Sequence, residues 1–573
     1  MACALYAFGS NGNGQLGIGS NEDMSIPQPV LFAPSLSFHT RWQQEEHREQ
    51  YEQGQRGECQ GHDHAANSPF IDFAAGGNHT AIITRGNQTL YMTGSNKDCE
   101  TLLSEASQVF SLHANRTAFP SGEGEEEEES EEQWGDKTRH KDRYQHQNQQ
   151  RWRSIACGWA FTIAVTEPGY FESKLVNGAN DDIEGTIANE KKATSKVFAW
   201  GSGSFGELGL GPHLTKSGRK AIEIETGLLN KNSNSYPLEI LKVKAGLRHV
   251  LLLAKEEKTA MQGDQSINSN NSRKSKTFLV GWGSNRQGQL GILERPSNTD
   301  VVGDVQPSSL SFTEKELRGK FMEPTRILIS KLSVPEVEIL DMACGQNHSL
   351  VLFSDGTVYA SGLNKYGQLG PSSSSASPSA SSLSSVLGKD FRIGFECVHG
   401  LPYVDSISCG WNHNAAMDTR PFTQGGSSCI YLWGRDDHGQ LGSGRPYFSV
   451  NVNLSGTSQV IPSSIIVQVR IPTSRSTPTL DNAQNREDTC EEIVSYSCGS
   501  EHTLAMTRSG DCYAWGWNEH GNCGTGSIED LCDVLEPRKI ALPGSNNSSN
   551  SRVKHGLSRG WVKGGYGSSW VWI

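Results

Sequence analysis

Two short glycine-centred patterns alternate along the chain, and no other feature limits its folding so tightly. The first runs through a small residue, Gly, two variable residues, often His, and then an apolar stretch. It reads AAGGNHTAII from Ala74, ACGWAFTIAV from Ala156, KAGLRHVLLL from Lys244, ACGQNHSLVLF from Ala343, SCGWNHNAAM from Ser408, SCGSEHTLAM from Ser497 and KGGYGSSWVWI from Lys563. The second reads YAFGSNGNGQLG from Tyr6, MTGSNKDCETLL from Met92, AWGSGSFGELGLG from Ala199, GWGSNRQGQLG from Gly281, ASGLNKYGQLG from Ala360, LWGRDDHGQLGSG from Leu432 and AWGWNEHGNCGTG from Ala514. Each pattern occurs seven times.

In the first pattern the glycine turns the chain into an apolar strand. A turn such as Ser354-Asp355-Gly356 then reverses it into the aromatic strand of the second pattern. The repeating unit is therefore a β-meander. One such sheet cannot bury both faces, so neighbouring sheets must stack radially, and a closed ring does this with few exposed edges. The prediction is an all-β fold, a single seven-bladed β-propeller over residues 1–573. The chain opens on a second pattern and ends on a first, so Lys563 to Ile573 should pair with Leu5 to Gly17. Ring closure then places the N- and C-terminal strands in one blade.

Composition agrees with many short strands. Apolar residues make up 35% of 573 residues while glycine reaches 62. A net charge of −12 argues against general affinity for phosphate backbones, so no direct nucleic-acid binding is expected. The start MACALYAFGS lacks an export signal, and no apolar run is long enough to span a bilayer, so no membrane association is expected. The expected location is the cytoplasm, with the nucleus as a second site. Thirteen cysteines without a C-x-x-C pair read as reduced thiols.

Long stretches separate the repeats, near residues 36–68, 104–150, 168–195, 212–236, 256–275, 292–335, 371–395, 445–490 and 527–558, and read as loops that no blade needs. Eight glutamates between Glu123 and Glu132 precede a basic, Gln-rich run ending at Arg153. Charge of this density resists compaction, so 104–150 is expected to be a disordered acidic-then-basic insertion. The Ser-rich 371–395 is expected to be a loop insertion of the same kind.

His79, His249, His348, His413 and His502 occupy one place in the repeat. Equivalent positions on successive blades are spread around a ring and cannot converge on one metal. They are expected to make structural hydrogen bonds within each blade. Cys157, Cys344, Cys409 and Cys498 precede the motif glycine and read as buried small residues, and Cys523 replaces the usual Leu. No phosphate-binding loop, zinc-protease helix or nucleophile elbow is present, so no catalytic, cofactor or metal residues are assigned and the chain is expected not to be an enzyme. Aromatic departures from the repeat are the better guide. Trp159, Trp411 and Trp570 follow motif glycines, Trp517 replaces a usual Ser, and Glu519 and His520 adjoin it. Trp suits an interface anchor, and a polar rim suits its border.

The paired G-x-x-H and W-G-S-N-x-x-G-Q-L-G elements resemble the repeat of the regulator of chromosome condensation family, whose propeller hosts nucleotide exchange, ubiquitin-ligase accessory roles and adaptor work. The opening YAFGSNGNGQLGIGSNEDMSIPQ, the late AWGWNEHGNCG and the final SSWVWI resemble the fungal alpha-tubulin suppressor propellers, accessory proteins of diphthamide biosynthesis and Elongator tRNA modification. Asp23, Met24, Pro27 and Gln28 carry that match, as do Trp515, Gly516, Trp517, Glu519, His520, Gly521, Asn522 and Cys523; the long insertions depart from it. The resemblance implies a heterodimer with a small zinc-ribbon, iron-binding electron carrier, with Elongator as a further partner and no cofactor on the propeller. Together with the aromatic departures from the repeat, the matched residues give an expected partner surface of Asp23, Met24, Trp159, Trp411, Trp517, Glu519, His520 and Trp570. The alternative is guanine nucleotide exchange on a Ran-type small GTPase, although the basic tail expected before the first strand is missing. A scaffold holding tubulin or ligase partners is a third reading, without a specific sign in the residues.

Overall fold

The computed structural model describes residues 4–33, 68–86, 88–103, 105–112, 151–168, 195–211, 213–224, 238–257, 275–292, 321–334, 337–371, 391–420, 429–444, 466–472, 490–526, 532–543 and 560–573. Strands β1 (Leu5–Gly9) and β2 (Met24–Pro29) open the chain and form half of a blade that the last strands complete. Blade one holds β3 (Phe70–Ala75), β4 (His79–Thr84), β5 (Leu90–Gly94) and β6 (Ser107–Leu112). Blade two holds β7 (Trp152–Cys157), β8 (Phe161–Thr166), β9 (Val197–Gly201) and β10 (Ile222–Ile224). In blade three are β11 (Leu238–Ala245), β12 (His249–Glu257), β13 (Ser275–Ser284) and β14 (Phe321–Ile327). Blade four comprises β15 (Ile339–Cys344), β16 (His348–Phe353), β17 (Val358–Leu363) and β18 (Phe391–Cys397). Blade five comprises β19 (Ser406–Cys409), β20 (His413–Met417), β21 (Ile430–Gly434) and β22 (Val467–Val469). Blade six is β23 (Ile493–Cys498), β24 (His502–Thr507), β25 (Cys512–Gly516) and β26 (Val534–Lys539), and β27 (Trp561–Gly564) and β28 (Ser568–Trp572) begin blade seven.

Blade seven has the order β2-β1-β28-β27, so the two ends of the chain share one antiparallel sheet, as expected. Leu5 faces Trp572 and Gly9 faces Ser568 across that junction. Trp570 is fully buried beneath it, with its ring 4.8 Å from that of Phe73 in blade one. It is therefore a core residue that welds the closing blade to its neighbour, which corrects its placement on the partner surface. Its position two residues into the apolar strand points it between sheets, whereas Trp159 and Trp411 lie in the turn.

Each sheet has a fourth, outermost strand, and this corrects the boundaries of several expected insertions. β6 occupies the start of 104–150, β18 begins at the end of 371–395 and runs past it, and β10, β14, β22 and β26 lie in segments read as loops. An outer strand pairs on one edge only and is half solvated, so it needs no apolar pattern. β26, for example, reads VLEPRK, with three of its six residues exposed and only Val534 buried. Residues 113–150 and 372–390, with the acidic-then-basic and Ser-rich runs, lie outside the described residues.

The repeated polar residues tie blades to one another. His79 Nε2 lies 2.8 Å from Thr162 Oγ1 of the next blade, and His249, His348, His413 and His502 reach Ser349, Asn414, Thr503 and Ser569 in the same way. The bonds thus run between blades, not within each blade as expected. Thr162, Thr503 and Ser569 pass their own hydroxyl protons to the carbonyls of Glu100, Gln440 and Asn522. The histidine must then donate through Nε2, and its Nδ1 stays buried without a partner. The ring is neutral: burial pushes the five pKa values down to about 4 for His79, His348 and His502 and about 3 for His249 and His413. Trp200, Trp282, Trp433 and Trp515 make parallel bonds from Nε1 to the carbonyls of Glu100, Glu207, Gln368 and Gln440 in the preceding blade.

Two glycine positions follow from this packing. Gly516 ends β25 at φ +108°, where a Cβ would lie 2.6 Å from the Glu501 carbonyl oxygen. Gly345 lies against the His348 ring, and a Cβ there would overlap the imidazole.

Candidate functional site

Within a blade the chain crosses the ring four times, so the Gly-x-x-His turns and the Gly-Gln-Leu-Gly loops emerge on the same face. Backbone bonds link those turns around the axis. Gly77 N donates to Gly158 O, Gln346 N to Trp411 O, Trp411 N to Ser500 O, and Ser500 N to Gly565 O. Blades one and two, and blades four to seven, are thus tied turn to turn through their backbones, a preorganised rim for recognition.

The residue after the motif glycine is Trp159 in blade two, Trp411 in blade five and Tyr566 in blade seven. These three meet. Trp159 stacks on Tyr566 with centroids 6.4 Å apart and planes 28° apart, and Trp411 meets the same ring edge-on at 5.6 Å. Trp159 is 46% exposed while the other two are half-buried, so the cluster presents one open aromatic surface on a supported base. Tyr566 occupies the same repeat position as the two tryptophans, a signal that attention to Trp alone passes over. Trp411 Nε1 is buried without an acceptor.

A second cluster adjoins the first through Gly567, where a Cβ would lie 3.6 Å from Trp517 Cζ3. Trp517 packs edge-on against His520 at 5.2 Å, and His520 Nδ1 lies 2.6 Å from Asp23 Oδ2. Asp23 Oδ1 also accepts the backbone N–H of Asn11 at 2.6 Å. The expected residues Asp23, Trp517 and His520 are thus brought together from opposite ends of the chain, with Glu519 exposed beside them. Met24 does not join them: it packs on the apolar core under β1 and β2.

Behind Trp517 lies a buried polar network. Its N–H donates to Glu501 O, while the Glu501 carboxylate accepts from Asn412, Gln440 and Arg435 at 3.1, 2.8 and 3.1 Å. Burial raises the Glu501 pKa despite these partners. Arg435 also pairs with Asp437 and lies over the Tyr366 ring, carrying the rim to blade four. In blade three, Arg248 and Arg286 stack on Phe205 of blade two, with ring distances of 3.9 and 5.2 Å.

The seven inner strands enclose a channel of about 510 Å³ on the ring axis, and Trp411, Ser500 and Tyr566 border it. Among the described residues no group of three or more His, Cys, Asp or Glu side chains is placed to hold a metal ion.

The RCC1-like domain family matches residues 187–560, and the regulator of chromosome condensation (RCC1) repeat matches 4–44. This chain belongs to the RCC1-like domain family. It is 25% identical over 536 residues to the secretion-regulating guanine nucleotide exchange factor of Bos taurus, covering 92% of this chain and 77% of the relative. It is 22% identical to an RCC1 repeat-containing protein of Schizosaccharomyces pombe, over 99% of this chain and 98% of that one. Prp20p of Saccharomyces cerevisiae superimposes with a TM-score of 0.52 at 17% identity, over 100% of this chain and 91% of that one. Human WBSCR16 gives the same TM-score at 15% identity, over 100% and 99%. These structural likenesses establish the seven-bladed RCC1-type fold.

Proposed function

We propose that this RCC1-like propeller docks a small guanine nucleotide-binding protein on its Gly-x-x-His face and promotes exchange of the bound nucleotide. The observation that carries the reading is the aromatic rim of Trp159, Tyr566, Trp411 and Trp517, fixed by the backbone bonds between turns and flanked by charged groups on both sides. A half-exposed Trp on rigid support fits a recognition anchor better than a packing residue. The likeness to secretion-regulating guanine nucleotide exchange factors, spread along nearly the whole chain, supports this choice of partner. Exchange asks little of the propeller beyond binding: it must favour the nucleotide-free partner over the loaded one. The test is release of a fluorescent GDP from a panel of small GTPases, Ran included. Acceleration by the chain in catalytic amounts is expected, and the spontaneous rate throughout would end the proposal.

A second reading rests on the contact between Asp23 and His520. It unites the two segments that resemble the alpha-tubulin suppressor propellers. On this reading the same rim holds a small zinc-ribbon electron carrier for diphthamide synthesis and Elongator-dependent modification, and the propeller is a non-enzymatic adaptor. A stable one-to-one complex with that zinc-ribbon protein, without any effect on GDP release, would favour it.

A further inference from the structure

We propose that the axial channel is a binding site for a small dianionic oxyanion of the phosphate or sulfate class, held between Lys563 and Lys244. This goes beyond the docking face and does not depend on which partner occupies it.

The repeat shows the site. Two residues before each motif glycine, the inner strands carry Ala74, Ala156, Lys244, Ala343, Ser408, Ser497 and Lys563. Five of these side chains are small, which leaves room at that level of the channel, and the two lysines come from blades three and seven, nearly across the ring. All seven line the cavity.

The charges there do not cancel. The lining holds Arg153, Lys242, Lys244 and Lys563 against Asp72 and Asp341, in a chain whose net charge is −12. Lys242 pairs with Asp341 at 2.9 Å, and Arg153 turns to Glu239 at 2.8 Å. Lys244 has only a loose 4.0 Å contact with Asp72. That carboxylate is already engaged, accepting from Ser154 Oγ and from the backbone N–H groups of Ile155 and Phe73. Among the described residues no acceptor reaches Lys563.

An ammonium walled by protein and left without a counter-charge is unfavourable, and a second cation nearby makes it more so. Lys563 is open to channel water yet enclosed by the seven strands. Burial first, and then repulsion from Lys244, pushes its pKa down to about 8, with Lys242 adding to this and Asp72 and Asp341 opposing it. An oxyanion between the two lysines replaces that repulsion by two charge-assisted hydrogen bonds. The ring of small residues around them admits it with part of its hydration shell.

The test is titration calorimetry of the full chain with sodium sulfate and with inorganic phosphate at neutral pH and constant ionic strength. One saturable site per chain is expected, with Kd below about 1 mM. Lys563→Met should weaken it at least about tenfold, Lys244→Met should weaken it less, and Lys216→Met, which alters an exposed lysine paired with Asp98, should leave it unchanged. Lys563→Arg keeps the charge and should restore binding, which separates loss of the site from loss of the fold. Sulfate remains a dianion as pH rises, whereas Lys563 loses its proton near pH 8, so sulfate affinity should fall about tenfold between pH 7 and 9. Absence of saturable binding, or a folded Lys563→Met protein that binds as the parent does, would overturn the proposal.

Discussion

Acid should unfold this propeller at a pH where most proteins are still stable, because five neutral histidines are locked between its blades. An unfolded histidine titrates near 6.5, whereas burial holds these five at about 3 to 4 in the fold. Their folded pKa values lie below the unfolded value, so the unfolded chain takes up more protons as the solution is acidified. The full stability is present above pH 6.5 and is lost as pH falls from there towards 4. At about pH 5.5 each histidine lowers stability by about 1.4 kcal/mol, and the five together by about 7 kcal/mol. Glu207 works the other way: burial raises its pKa to about 6, and its protonation returns about 1 kcal/mol over the same range. The net loss, about 6 kcal/mol, rivals the whole stability of many domains. Denaturant midpoints at about pH 7.5, 6.5 and 5.5 would measure it. Blade two supplies a control, since it carries Phe161 at the histidine position. His502→Phe should cost about 1 kcal/mol at neutral pH, through the lost bond to Ser569. That deficit should vanish or invert at about pH 5.5. An unchanged midpoint down to pH 5.5 would refute the neutral inter-blade staple.

Ring closure predicts that deleting residues 564–573 strips β1 of its partner and uncovers Phe73. Thermal unfolding of the truncated chain should lose its cooperative transition, and a retained melting temperature would count against the shared blade. Gly345→Ala should destabilise by about 3 kcal/mol in chemical denaturation, because the added Cβ overlaps His348. Under native thiol labelling followed by peptide mapping, Cys532 is exposed and should react at least about tenfold faster than Cys498, whose thiol burial pushes up to about 12. Trp159→Ala should leave stability within about 1 kcal/mol, since the side chain is half exposed, while weakening partner binding measurably in a titration.

Two strands of each blade, the apolar and the aromatic ones, were legible in the residues, because apolar stretches beside glycine turns mark strands buried on both faces. The inner strand, which turns one face to the channel, carries a weaker apolar pattern. The fourth was not legible, since an edge strand such as VLEPRK answers to one neighbour and to water. The histidines were recognised as structural, but the direction of their bonds depends on how sheets stack, which a repeat alone does not contain. Trp159 and Trp411 stood out as large residues in a turn. Tyr566 shares their register, but a tyrosine beside a turn departs less from the repeat than a tryptophan does. Trp570 lies two residues past Ser568, which stands where the histidine belongs, and is therefore a strand residue and not part of the turn. Asp23 and His520 lie 497 positions apart, and only closure of the ring brings them into contact. Lys244 and Lys563 were visible in the repeats as departures from small residues, yet their common register becomes a site only when those positions face one channel.

The docking claim is tested most directly by GDP release from the responsive small GTPase, measured with the parent chain and with a Trp159→Ala, Trp517→Ala double variant of unchanged melting temperature. The parent should accelerate release, and the double variant should lose most of that acceleration through a weaker complex. Equal acceleration by both would remove the aromatic rim from the partner surface. No acceleration of any small GTPase by the parent would contradict the exchange reading itself.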